Sequence, residues 1–174
     1  MNSKSKIIVL LSLVFAIKLV AQAPQLVIPS GLKEITGIYG VGLSLDQKKA
    51  VAVAGKNIQV YDYETGNLLK TIVAKGSMSK VSFSTDSKQA FVTGDEELVV
   101  LDLTKIEVSR TIPNSLGGLH QVRTQDGKSI FFGYRGLQRF DVAAGTVARL
   151  KEFPQDWGSL QMLTVSPDGT QALC

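Results

Sequence analysis

The ten residues VSPDGTQALC (Val165–Cys174) read as a turn entering a strand. Val165 is followed by Ser166-Pro167-Asp168-Gly169, two polar residues and an apolar run. Asp in such a position bonds nearby backbone N–H groups with its side chain and so closes a tight turn. The phrase has three earlier counterparts: LSLDQKKAVAVAG around Asp46, FSTDSKQAFVTG around Asp86 and RTQDGKSIFFGY around Asp126. The four aspartates are spaced by 40, 40 and 42 residues.

Two further markers keep the same beat. Tyr61-Asp62, Leu101-Asp102 and Phe140-Asp141 form one series, and Asp62, Asp102 and Asp141 are followed by short polar turns. The segments around Leu68–Ile72, Val108–Ile112 and Val147–Leu150 form the other. Between the markers lie apolar runs at residues 50–54, 90–93 and 130–132, bounded by Gly55, Gly94 and Gly133. Val81 and Phe83 alternate with Ser82 and Ser84, the period of a strand with one apolar face. No segment after residue 23 carries a helical apolar stripe. Four short strands per unit at a period near 40 residues predict an all-β fold of β-propeller blades. Each blade has four antiparallel strands, and the sequence holds about three and a half of them in an incomplete ring. The seven aspartates are assigned to the turns of the repeat.

The repeat resembles the WD40-type β-propeller family, or the related YVTN-like surface repeats, from about Gly40 to Cys174. The resemblance is carried by Ser166–Gly169, by its variants at residues 44–47, 84–87 and 124–127, and by the aromatic-Asp dipeptides. Tyr61-Asp62 with Glu64-Thr65-Gly66-Asn67 is most similar to the family's strand-ending Trp-Asp and its turn. Tyr61, Leu101 and Phe140 stand where the family has Trp, and its Gly-His dipeptide is missing. The family's hydrogen-bonded His–Ser–Asp–Trp set is therefore not expected here.

Propeller rings close with about four to eight blades, because an open ring leaves apolar flanks and strand edges exposed. Cys174 aligns with Val92 and Phe132, in the middle of an apolar strand. The sequence is therefore expected to be part of a longer protein that supplies the missing blades. Self-association of several chains into a ring is the alternative.

The N-terminus differs in kind. Lys4 and Lys6 precede residues 7–17, which are apolar apart from Ser12, and Ala21-Gln22-Ala23 follows. A basic start, a short apolar stretch and an Ala-x-Ala site predict a secretory signal peptide over residues 1–23. Lys18 breaks the run far short of the roughly 20 apolar residues a spanning helix needs. Cleavage after Ala21 and after Ala23 both stay open. Residues 24–39 are a lead-in and residues 40–174 the repeats. The expected address is the periplasm, the cell surface or the medium, with membrane contact only during export.

Of 19 Lys and Arg residues, three lie in residues 1–23, leaving 16 against 15 acids. A mature chain near neutrality argues against nucleic-acid binding. The lone Cys174 makes no internal disulfide and is expected as a small core residue. One Cys and one His, His120, give no metal-ligand pattern, and no metal or cofactor is predicted. Ser115 and Ser159 lack a nucleophile elbow, and Gly117-Gly118 lacks the lysine and spacing of a phosphate loop. Trp157, in the longer link that produces the 42-residue spacing, is a candidate partner contact.

The reading that follows is a non-catalytic platform binding an unknown protein or peptide through loops on one face of the ring. The alternative is part of a propeller enzyme, lactonase- or dehydrogenase-like, with catalytic residues on other blades. A variant attaches a caspase-like peptidase domain downstream, since Pro24–Gly31 is similar to the lead-in of exported bacterial proteins of that design.

Overall fold

A computed structural model of the chain describes residues 37–174, apart from 115, 155 and 157. Residues 1–23, expected as a signal peptide, residues 24–36 of the expected lead-in, Ser115 and Trp157 lie outside the described residues. The rest folds as a series of antiparallel meanders, and no α-helix occurs among the described residues.

The first blade comprises β1 (Gly40–Leu43), β2 (Lys49–Ala54), β3 (Asn57–Asp62) and β4 (Leu68–Val73). The second comprises β5 (Met78–Phe83), β6 (Gln89–Gly94), β7 (Glu97–Asp102) and β8 (Glu107–Pro113). The third comprises β9 (His120–Arg123), β10 (Ser129–Gly133), β11 (Gly136–Asp141) and β12 (Thr146–Glu152). Each pairs its strands in chain order as a four-stranded sheet. A two-stranded piece, β13 (Thr164–Val165) with β14 (Ala172–Leu173), begins a fourth.

β1 touches β5, β5 touches β9 and β9 touches β13, so the first strands of successive blades gather about one axis. The fourth strands lie outermost, and their composition fits: β8 and β12 carry Glu107, Arg110, Arg149 and Lys151, all exposed. The two middle strands of each sheet are buried on both faces, which is why they are apolar without strict alternation. The third and fourth strands shift register at Val60/Tyr61 and at Val100/Leu101, equivalent places in the first two blades. In the third blade the shift falls at Leu137/Gln138. Such bulges bend and twist a strand as it reaches the rim.

Blades pack face to face through two cores. Val51, Val53, Ile58 and Val60 of the first blade meet Ala90, Val92, Val99 and Leu101 of the second. Phe91, Leu98 and Val100 of the second meet Ile130, Phe132 and Phe140 of the third, with the Phe91 and Phe140 rings tilted at 5.9 Å. The axial strands approach closely because β1 is Gly-x-Gly. A Cβ on Gly40 would lie 2.5 Å from the Ser79 carbonyl oxygen, and one on Gly42 would lie 2.7 Å from the Phe83 ring. Val41 and Leu43 point the other way and are 71% and 37% exposed. Cys174, expected in a core, is exposed, and among the described residues β13 and β14 pair only with each other.

Candidate functional site

A meander puts its turns on two opposite faces. The first-to-second and third-to-fourth strand turns share one face, and all seven repeat aspartates lie there. The second-to-third hairpins and the links between blades make the other.

The aspartate face is built from one hydrogen-bond set used four times. Ser44, Ser84, Thr124 and Ser166 donate their hydroxyls to Oδ1 of Asp46, Asp86, Asp126 and Asp168 at 2.6–2.7 Å. The same Oδ1 atoms accept the N–H of Lys48, Lys88, Lys128 and Thr170. Each hydroxyl oxygen in turn accepts an N–H where the next strand begins, from Lys49, Gln89 and Ser129, the first residues of β2, β6 and β10, and from Gln171, just before β14. The residue after each aspartate is left-handed: Gln47 at φ 58°, Ser87 at 60°, Gly127 at 73° and Gly169 at 69°. The second series stands beside the first, since Tyr63, Leu103 and Val142 donate N–H to the Lys48, Lys88 and Lys128 carbonyls. Asp62 accepts from Thr65 N–H and hydroxyl, Asp102 from Thr104 and Lys105, and Asp141 from Ala144 N–H.

Donated hydrogen bonds stabilise a carboxylate over the acid. The hydroxyl beside each of Asp46, Asp86, Asp102 and Asp168 is the main cause holding its pKa below the usual value. For Asp62 and Asp126 the leading cause is the backbone N–H of Thr65 and Lys128. These carboxylates are committed to turn geometry. Between the first two blades this face forms a cleft of about 530 Å³ with alternating Asp and Lys side chains, of which Lys49 and Asp62 pair at 3.6 Å.

The link face is more varied. Hairpin tips Gly55-Lys56, Asp95-Glu96 and Tyr134-Arg135 are fastened to the following links. Ala74, Asn114 and Phe153 donate N–H to the Lys56, Glu96 and Arg135 carbonyls. Buried polar groups hold the blades in register here. Glu97, 4% exposed, accepts the Lys75 N–H at 2.7 Å, and Asn114 joins the Gly94 carbonyl to the Gln138 amide. Gln121 of β9 reaches back to the Ser82 hydroxyl and the Phe91 carbonyl. None of these polar ties was identified from sequence; the only signal was a polar residue inside an apolar stretch. Beside the third tip lies a cleft of about 570 Å³ lined by Leu116, Tyr134, Arg135, Glu152, Phe153, Pro154, Gly158 and Ser159.

His120 lies half-buried on the axial strand β9. Burial, then the nearby Lys80, holds its pKa below the usual histidine value. Among the described residues no group of three or more His, Cys, Asp or Glu is placed to hold a metal ion. No helix there is long and apolar enough to cross a membrane.

Comparison with solved structures places this geometry. Hydrazine synthase of Kuenenia stuttgartiensis superposes with a TM-score of 0.68 and 20% identity, over 79% of this chain and 43% of that one. The RRP9 WD40 repeats give 0.63 and 12%, over 72% and 41%. The U3-55K structure gives 0.63 and 12%, over 72% and 42%. The chain folds as β-propeller blades. It spans less than half the length of each of these structures. No protein-family model matches it, and no curated protein matches its sequence.

Proposed function

We propose that these blades belong to an exported β-propeller that serves as a non-catalytic protein-interaction platform of the WD40-like kind. The observation that carries the reading is the division of labour between the faces. On the aspartate face, polar side chains are spent on an invariant turn. On the link face, tips and links differ in length and charge from blade to blade, and variable loops on a rigid frame are where binding is placed. WD40 repeat structures among the fold neighbours support a scaffold.

Further blades of a longer polypeptide complete the ring. The residue after the turn aspartate supports this. Ser87, Gly127 and Gly169 are half-buried against the turn of the blade before them, near Asp46, Thr85 and Thr124. Gln47 of the first blade is exposed, and so are Val41 and Leu43 beside it. The first blade thus presents the surface that its successors bury. Residues 1–23 direct export, and the mature N-terminus begins at Gln22 or Pro24.

The test is affinity capture by the purified full-length protein, compared with variants whose link-face tips are exchanged between blades. The platform reading expects a protein partner lost on tip exchange and retained when aspartate-face turns are exchanged. Retention through every tip exchange would contradict it. The likeness to hydrazine synthase favours one second reading, in which the blades form part of an enzyme's ring. Turnover by the intact ring with no captured protein would select it.

A further inference from the structure

We infer that Asp168-Gly169 is a site of spontaneous isoaspartate formation in this chain, and that the equivalent Asp126-Gly127 is protected from it by the sheet around its turn. This chemistry does not depend on the platform reading.

Asp46 and Asp86 are followed by Gln47 and Ser87, whereas Asp126 and Asp168 are each followed by glycine. The reaction begins when the next residue's nitrogen approaches the aspartate side chain, and a Cβ on that residue hinders the approach. At Asp168 the Gly169 nitrogen bonds to Cγ, and its proton leaves with the carboxyl hydroxyl as water. The succinimide so formed takes up one water. Opening at the former main-chain carbonyl leaves isoaspartate, with the side-chain methylene now in the backbone. No oxidant, reductant or cofactor is required.

The closed turn blocks the first step in two ways. The Gly127 N–H is committed to the Thr124 carbonyl at 3.0 Å and the Gly169 N–H to the Ser166 carbonyl at 2.9 Å. The Asp126 carboxylate is held by the Thr124 hydroxyl at 2.7 Å and the Lys128 N–H at 3.0 Å. The Asp168 carboxylate is held by the Ser166 hydroxyl at 2.6 Å and by the Thr170 N–H and hydroxyl at 3.1 and 2.9 Å. Those bonds also favour the ionised form, which has no hydroxyl to release. The turn must open before the ring can close.

What holds the two turns shut differs. Asp126 joins β9 to β10, and β10 pairs on its far side with β11. Ile130 and Phe132 of β10 are fully buried in the core shared with the second blade. Asp168 joins β13 to β14, which among the described residues pair only with each other. Thr164, Ala172 and Leu173 of that hairpin are exposed. Thr124 is buried, whereas its counterpart Ser166 is half-exposed. Local opening is easiest where backbone hydrogen bonds meet water and little apolar surface resists. Once formed, isoaspartate at 168 lengthens the turn and moves the carboxylate away from Ser166 and Thr170, so β14 does not regain its register.

The test holds the full chain at neutral pH and physiological temperature, with a parallel sample in urea. Isoaspartate is measured at all four repeat aspartates by fragmentation mass spectrometry. In the folded chain Asp168 is expected to convert roughly tenfold faster than Asp126, or more. In urea the two rates are expected to converge, with Asp46 and Asp86 slower than both. Amide exchange of the folded chain is expected to be faster at Gly169 than at Gly127. Equal conversion of Asp126 and Asp168 in the folded chain would overturn the inference. So would a folded Asp168 that stays intact while its urea counterpart converts, or a Gly127 amide that exchanges as fast as Gly169.

Discussion

The backbone N–H of Asp46 donates to the Ser87 hydroxyl at 2.9 Å, joining equivalent turns of neighbouring blades. Ser87 is also left-handed, at φ 60°, and so is its counterpart Gln47, at 58°. A left-handed residue with a side chain costs about 1–2 kcal/mol relative to the right-handed form, and glycine escapes that cost. Only Ser87 has a contact that offsets it. Gln47→Gly is therefore expected to stabilise the chain by about 1 kcal/mol in urea unfolding. Ser87→Gly gains the same relief, loses the bond to Asp46, and is expected to leave stability nearly unchanged. Equal stabilisation by both would show that the inter-blade bond contributes nothing.

The turn hydroxyls test the repeat from inside a blade. Ser84 is buried, donates to Asp86 and accepts the Gln89 N–H at 2.9 Å. Ser84→Ala leaves that N–H without its partner, and the expected cost is about 1–3 kcal/mol. Ser166 makes the same bonds half-exposed, where water replaces them. Ser166→Ala is expected to cost under about 1 kcal/mol by the same measurement. The reverse order would contradict the burial on which the ranking rests.

Acid should unfold the blades through the same turns. Six aspartates have folded pKa values below the ordinary value near 3.9. Their stabilisation is fully present above the unfolded value and is lost as pH falls through the folded ones. His120, also lowered, adds a shallow loss that begins below pH about 6.5, because the unfolded chain takes up its proton first. Unfolding free energy measured from pH 7 to 2 is expected to dip slightly near pH 6 and fall steeply below pH about 4. Carboxyl carbon resonances of those six aspartates titrating at or above 3.9 would contradict the assignment.

The blade count and strand order were legible because each unit repeats the same turn, and one drifted copy is read through the others. Asp46 and Asp126 show this: alone each marks a turn, together they set a period. The ties between blades were not legible. Asn114, Glu97 and Gln121 each act through a residue about 20 to 40 positions away, and no local pattern announces such a pairing. Nor was the role of Gly40 and Gly42, whose missing side chains let β1 lie against β5.

An experimental structure of the full-length polypeptide tests the central claim most directly. The account predicts a closed ring in which β1, β5 and β9 line one axis and a further blade of the same chain covers Val41, Leu43 and Gln47. A folded protein whose first blade leaves that surface in solvent, or whose sheets stack without a common axis, would contradict it.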